Sequence, residues 1–343
     1  MKILFVGDLN EGARSFCRYK TFIALQHEVM GISMVPVLGM PIGRDATFLE
    51  RIMWKLNLPL DLTHVNEKLR EVISHNQYDV AWIEKGNTIM PKTLQVIKKQ
   101  LPNCKLVSCS EDDMYALHNH SLYYRFGLKY YDVVFTTKVH NLTELEIFGA
   151  KKVKLFLEAY DEVLHRPLEL SAEDRHIFGT DVGFIGTFEK ERMESMLYLA
   201  QHGVRVRVWG NGWRSYVGKN PNLIIENKAI YAENYVKAIN ATKINLGFLR
   251  KANRDEITNR SVEIPACGSF MLAERTKSHL DSFEDGKEAV FFKNNEELLR
   301  SVKKYLSNDD ARKKIAAAGR ERCLKSGYSM KEQLSEMLSS LFS

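Results

Sequence analysis

Between Asp255 and Glu274 the chain reads DEITNRSVEIPACGSFMLAE, a stretch rich in residue types able to hold a charged ligand. Asn259 or Ser261 fits the N-cap of a short helix, and Gly268 fits its end. Such a start places Glu263 in the first turn. Free N–H groups at the helix start, with Arg260, can receive a diphosphate. A carboxylate in the same turn can accept two hydroxyl hydrogen bonds, as a ribose diol requires. Asp255 precedes Glu263 in a D-x7-E spacing. The plainer alternative makes Glu263 a helix-dipole carboxylate and Arg260 its surface partner.

Further constellations follow the ends of apolar runs. Gly183–Arg192 (GFIGTFEKER) reads as strand, glycine, helix. There Gly186 lets backbone approach a ligand, Thr187 can cap the helix, and Lys190 and Arg192 add positive charge. A tight turn explains the same pattern. Trp209–Trp213 (WGNGW) and Lys228–Tyr231 (KAIY) offer Gly210 for close approach and Trp209 or Tyr231 for packing on a ring. Two core aromatics and a turn are the alternative. Gly7–Gly12 (GDLNEG) lacks G-x-G-x-x-G, so no dinucleotide site is expected there; Asn10, Glu11 and Arg14 could still meet a ligand. Ser110–Asp113 (SEDD) places three carboxylates together, and their repulsion can raise one pKa toward that of a base. Asp112 and Asp113 are the candidates, with an acidic N-cap for a following helix as the alternative. His118 and His120 form H-x-H, but no third and fourth ligand is suggested, so no metal is expected. Finally, Arg44–Leu60 carries Phe48, Leu49, Ile52, Met53 and Leu56 at helical spacing, with Arg51 and Lys55 flanking Trp54. This suits an amphipathic element at a membrane or a lipid-linked ligand. A core-facing stripe is the expected reading.

The elements that must position these groups alternate along the whole chain. Its 343 residues suggest two domains, and 45% apolar with 27% charged residues is an ordinary globular balance. Expected strands lie at Lys2–Gly7, Val29–Val35, Tyr78–Glu84, Lys105–Ser108, Asp132–Thr137 and Val153–Leu157. A second series lies at Asp181–Gly186, Val204–Gly210, Leu223–Glu226, Lys243–Phe248, Ser269–Ala273 and Ala289–Phe292. Helices are expected over Glu11–His27, Asp61–Asn76 and Pro91–Gln100, and through most of Asn294–Phe342. Between the series, Glu158–Arg175 loses the rhythm and reads as a linker. This is the pattern of α/β proteins with doubly wound parallel sheets, whose ligands sit at strand carboxyl ends. A net charge of +6 fits phosphorylated small molecules or an anionic membrane surface, whereas no dense basic stripe points to nucleic acid. Five cysteines without C-x-x-C suggest reduced thiols. Short apolar runs and the absence of a leader pattern suggest a cytoplasmic chain, with peripheral contact at the membrane face as an extension.

The run Arg260–Gly268 (RSVEIPACG), followed by FMLAE and later by DGKEAVFF and IAAAG, resembles the CgeB-like glycosyltransferases, relatives of the large retaining group 1 family. YDVVFTT, FGAKKV and HRP resemble that family's segments in the first half. The resemblance implies a GT-B fold, two Rossmann-like domains facing a central cleft. Residues 1–170 would form the acceptor side and 171–327 the nucleotide-sugar donor side, and a C-terminal helix in 328–343 would pack on the first domain. It implies that Glu263 binds the donor ribose, that Arg260 neutralises the diphosphate, and that Gly186, Thr187, Lys190, Arg192, Gly210, Ile230, Tyr231, Arg250 and Ser261 line the donor. The family's E-x7-E pair starts here with Asp255, beside Glu256. Asp255 would contact the sugar; Asp112, Asp113 or Glu11 would serve as base in an inverting reaction. The implied activity is metal-independent transfer of a hexosyl group from a nucleoside diphosphate sugar to a glycan, lipid-linked or protein acceptor, without a cofactor, in surface polysaccharide or glycoconjugate synthesis. An epimerase of the same fold and a non-catalytic surface-layer or complex-forming protein are the alternatives.

Overall fold

The computed structural model describes residues 1–36 and 47–343, so Arg44, Asp45 and Ala46 of the amphipathic segment lie outside the described residues. The chain divides into two compact units. Unit 1 comprises Met1–Leu157 with Met330–Ser343, and unit 2 comprises Glu158–Ser329.

Unit 1 runs β1 (Lys2–Gly7), α1 (Arg14–Ala24), β2 (Glu28–Ser33), α2 (Phe48–Lys55), α3 (Val65–His75), β3 (Val80–Glu84), α4 (Pro91–Gln100), β4 (Lys105–Ser110), α5 (Leu122–Gly127), β5 (Val133–Thr136), α6 (Asn141–Ile147) and β6 (Val153–Leu155). Its six strands are parallel in the order β2-β1-β3-β4-β5-β6. Parallel strands are covered on both faces and so read as continuous apolar runs. Ile3, Leu4, Phe5 and Val6 of β1 are accordingly fully buried. Helix ends depart from the sequence expectation where the backbone turns left-handed. Gly12 (φ 85°) delays α1 to Arg14, and Gln26 (φ 62°) follows its end. His64 (φ 54°) postpones α3 to Val65, whose N–H and that of Asn66 donate to the Asp61 carboxylate at 2.8 and 3.0 Å.

Unit 2 runs α7 (Ala172–Phe178), β7 (Thr180–Ile185), α8 (Lys190–Gln201), β8 (Val206–Trp209), β9 (Leu223–Ile225), α9 (Ala232–Ala241), β10 (Thr242–Gly247), α10 (Asn259–Ala266), β11 (Met271–Glu274), α11 (Lys277–Ser282), β12 (Val290–Phe292), α12 (Asn295–Leu306) and α13 (Asp309–Lys325). Its parallel sheet has the order β12-β11-β10-β7-β8-β9. Counted from β7 this is 3-2-1-4-5-6, the Rossmann order, and it reverses between β7 and β10. The core is built from Val182, Phe184, Val208, Leu246 and Leu272 on the strands and Met196, Leu298 and Ile315 on the covering helices.

One expectation about organisation changes, that of a linker. Glu158–Arg175 is packed chain of unit 2 rather than a spacer: Tyr160 N–H donates to Tyr328 O at 2.9 Å, Leu168 N–H donates to Asn240 Oδ1 at 3.2 Å, and α7 starts within it at Ala172. The last helix, α14 (Met330–Ser339), belongs to unit 1 and packs on α1. There Gln333 Oε1 accepts from Leu157 N–H at 3.0 Å, and Lys154 Nζ donates to Ser340 O at 2.7 Å.

Candidate functional site

The crevice at a strand-order reversal, outside the carboxyl ends of the strands, is where open α/β sheets hold ligands. In unit 2 that point is flanked by the end of β7, by the segment after β10 and by the start of α10.

Helix α10 begins one residue earlier than the sequence suggests. Thr258 stands at its N-cap, and Thr258 N–H donates to Ser261 Oγ at 3.2 Å. Glu263 therefore sits just beyond the first turn. The helix ends at Cys267, where Gly268 (φ 68°) donates to Pro265 O and Ser269 to Ile264 O at 2.8 and 3.2 Å. These two bonds form a Schellman motif.

Arg260 reaches back over β7, its guanidinium carbon 5.8 Å from the centre of the Phe184 ring. Its Nε is buried and has no hydrogen-bond partner. Arg192 approaches the same ring at 5.6 Å. Burial, then repulsion from Arg260, lowers the Arg192 pKa to about 10. Two cations thus approach one aromatic ring, an arrangement that a diphosphate would relieve. Arg192 is itself buried and aimed at backbone: it donates to Thr187 O at 3.0 Å and Leu249 O at 3.3 Å. It ties the turn after β7 to the turn after β10 rather than presenting a free charge. Arg250 Nε lies 3.1 Å from Glu189 Oε1, and Lys190 is exposed beside Glu194.

Glu263 is nearly buried and held from two sides. Tyr235 Oη donates to its Oε2 at 2.6 Å, and His165 Nε2 lies 3.8 Å from its Oε1. His165 Nδ1 accepts from Asp161 N–H at 2.9 Å, so the ring proton sits on Nε2, facing Glu263. Burial, then the Glu263 charge, raises the Tyr235 phenol well above its ordinary value. Asp255 is turned into its own loop, accepting from Asn253 Nδ2 at 2.7 Å and Arg250 N–H at 3.3 Å.

The structure gives three of the expected donor-side residues a different local setting. Thr187 is exposed and does not cap α8, because the helix starts at Lys190 with Glu189 at the N-cap. Ser261 is buried: its hydroxyl lies 2.7 Å from His279 Nε2, whose Nδ1 lies 2.6 Å from Glu274 O. Gly210 (φ 150°) makes its close approach to Gly186, since a Cβ there would stand 1.9 Å from Gly186 O. Trp213 Nε1 donates to that same oxygen at 2.9 Å, and Gly186 N–H donates to Trp209 O at 2.9 Å. Trp209 and Trp213 are both core side chains, while Ile230 and Tyr231 are half-buried at the start of α9.

In unit 1 the carboxyl ends of β1, β3 and β4 carry a buried ionic cluster. Arg18 donates to both Glu84 oxygens at 2.8 and 2.6 Å and to Glu111 at 2.6 Å; Arg14 reaches Glu111 at 3.1 Å. Burial opposes the Arg18 charge, and the two glutamates outweigh it, so its pKa stands well above the ordinary value. The three SEDD carboxylates are therefore not a mutually repelling set: Glu111 takes these arginines, Asp112 pairs with Lys85, and Asp113 accepts from Asn141 Nδ2 at 2.7 Å. Nor do they cap a helix, since α5 begins at Leu122 behind Ser121. Asp113 is fully buried, and Glu11 is exposed. Asp113, His140 and Glu144 each bring a ligand-type atom within 4.8 Å of the others, with Asn141 Nδ2 bonded to both carboxylates. His118 and His120 take no part in this group.

Helix α2 also departs from expectation. None of its residues is buried, and Phe48 is 80% and Trp54 40% exposed. Its apolar stripe faces outward rather than into the core.

Sequence reasoning missed Tyr235, His165 and the Arg18–Glu84 pair. Their only sequence trace is a tyrosine one turn after Tyr231, the HRP segment, and a glutamate ending an otherwise apolar strand.

Residues 191–339 match the model of the family described as "Glycosyl transferase-like". No curated protein matches the chain in sequence. Among solved structures, sucrose-phosphate synthase from Thermosynechococcus elongatus is similar with a TM-score of 0.71 at 12% identity, over 100% of this chain and 99% of that one. Anabaena Alr3699/HepE, in complex with UDP and glucose, is similar with a TM-score of 0.68 at 14% identity, over 99% and 100%. A glycosyltransferase from Rickettsia africae ESF-5 gives 0.63 at 13%, over 99% and 97%. The fold is GT-B, with two Rossmann-like α/β domains.

Proposed function

We propose that the protein is a glycosyltransferase of the CgeB-like group, with unit 2 holding a nucleoside diphosphate sugar and unit 1 taking the acceptor. The observation that carries this reading is Arg260: a guanidinium with a buried, unbonded Nε, beside a second cation, at the strand-order reversal of a Rossmann sheet. Departure of the diphosphate builds negative charge, and Arg260 with the start of α10 stabilises it there. Glu263, braced by Tyr235, takes the ribose hydroxyls and so fixes the anomeric carbon. Arg192 and Glu189 hold the surrounding turns.

The donor base is taken as uracil, because HepE was solved with UDP and with UDP-glucose. The transferred group is read as a hexosyl unit, with retention at the anomeric carbon, from the resemblance around Arg260–Gly268. The leaving phosphate then accepts the acceptor proton, and no protein base or metal is required. The exposed stripe of α2, flanked by Arg51 and Lys55, fits an acceptor carried on an anionic lipid surface, as in surface glycoconjugate synthesis. No helix among the described residues is long and apolar enough to cross a membrane, so such contact would be peripheral.

Incubation with UDP-[14C]glucose and a lipid extract tests the proposal. Label should move to the lipid fraction with release of UDP, and Arg260→Ala should abolish both. Conversion of the sugar nucleotide without acceptor would instead identify an epimerase.

A further inference from the structure

At the opposite, amino-terminal edge of the unit 2 sheet lies an open groove of about 770 Å³. Its floor is formed where β7 and β10 begin, at Thr180 and Thr242, and by Gly268 and Ser269 at the end of α10. The groove therefore stands about 17 Å along the strands from the crevice that flanks Gly186 and Arg250.

The walls are strongly basic. Arg175, Arg205, Lys243, Arg312, Lys313 and Arg320 line the groove, against one carboxylate, Asp181. Lys243 spends its charge on Asp181 at 2.7 Å, and Arg312 is fixed by Tyr305 O and Asp309, both at 2.7 Å. Arg175, Arg205, Lys313 and Arg320 have no ion-pair partner among the described residues. Like charges converging on one concavity repel each other, so this arrangement is costly without a counter-charge. Arg320 supplies an independent sign: its Nε is buried and makes no hydrogen bond. Buried donors are nearly always satisfied, and each exception calls for a partner. The small floor residues leave room for a body larger than a phosphate ion.

We propose that this groove is a second anion site, for a small organic phosphate whose phosphoryl groups engage the four unpaired cations and whose polar body fills the groove. It is separate from the crevice read above as the donor site, and it does not depend on that reading. The Gly268 turn that closes α10 forms part of its floor, so an occupant touches the far end of the helix that carries Arg260 and Glu263.

Calorimetric titration of the full-length protein in about 50 mM salt tests this, since low salt leaves exposed charges effective. The probes are fructose 1,6-bisphosphate, glucose 6-phosphate, inorganic phosphate and, as the uncharged control, glucose. The expected result is saturable binding that is tightest for the bisphosphate and absent for glucose. Arg205→Gln and Lys313→Gln remove exposed side chains and keep the fold; each should weaken the bisphosphate about tenfold or more, the worth of one charged contact. Arg260→Ala should leave that affinity unchanged. Absence of bisphosphate binding up to about 5 mM, a millimolar limit equivalent to only about 3–4 kcal/mol, would overturn the proposal. So would binding lost in Arg260→Ala and kept in both groove variants, because the anion would then occupy the other edge of the sheet.

Discussion

Replacing Tyr235 by Phe removes one atom, the hydroxyl oxygen that donates to Glu263 Oε2 at 2.6 Å. The ring stays, edge-on to His165 with centroids 5.9 Å apart, so no cavity opens. What is lost is a buried hydrogen bond to a carboxylate, worth about 2 kcal/mol. For a unit of this size that corresponds to a fall in Tm of roughly 4–8 °C. The same change frees the Glu263 carboxylate to rotate. If that carboxylate orients a ribose, UDP affinity should fall about tenfold, since about 1.4 kcal/mol of preorganisation is lost. Calorimetry on wild type, Tyr235→Phe, Glu263→Gln and the double variant separates the pair from its surroundings. The expected coupling between the two sites is about 1–2 kcal/mol. Additive effects, together with unchanged UDP affinity in Tyr235→Phe, would refute the claim that this phenol positions Glu263.

Gly210→Ala should collapse the link between the β7 and β8 turns, because the new Cβ would meet Gly186 O at 1.9 Å. A loss of at least 2 kcal/mol in urea unfolding is expected, from overpacking added to a left-handed backbone; an unchanged midpoint would remove this role. His279 is buried as the neutral ring with its pKa lowered to about 4, so the folded state is favoured above pH 6.5 and that advantage is lost as pH falls toward 4. The full drop is worth about 3 kcal/mol, and His279→Gln should flatten the acid limb of Tm over this window; an unaltered slope would place the acid sensitivity elsewhere. Phe48→Ser with Trp54→Ser should abolish co-sedimentation with vesicles containing about 30% phosphatidylglycerol while leaving Tm unchanged. Equal sedimentation of variant and wild type would show that α2 is not the contact.

The strands were legible because parallel strands covered on both faces become apolar runs, such as ILFV in β1 and VFF in β12. Helix ends were less so. Gln26 and His64 adopt positive φ without being glycine, and Thr258 rather than Asn259 caps α10. Polar residues near the site were hardest to place, because a residue's type does not tell which way it faces. Arg192 and Ser261 have the chemistry of ligand contacts, yet backbone carbonyls and a neutral histidine claim them. Glu84 ends an apolar strand and is buried because Arg18 meets both its oxygens and Trp82 Nε1 donates to one of them. The α2 stripe has the spacing of a core helix, and only the structure shows it uncovered.

In the proposed function the α10 crevice of unit 2 holds a nucleoside diphosphate through Arg260 and Glu263. UDP titration by calorimetry, on wild type, Arg260→Ala and Glu263→Gln, tests it most directly. Saturable binding to wild type and a loss of about tenfold or more in each variant are expected, with both variants folded. No binding of UDP, or binding equally tight in all three proteins, would contradict it.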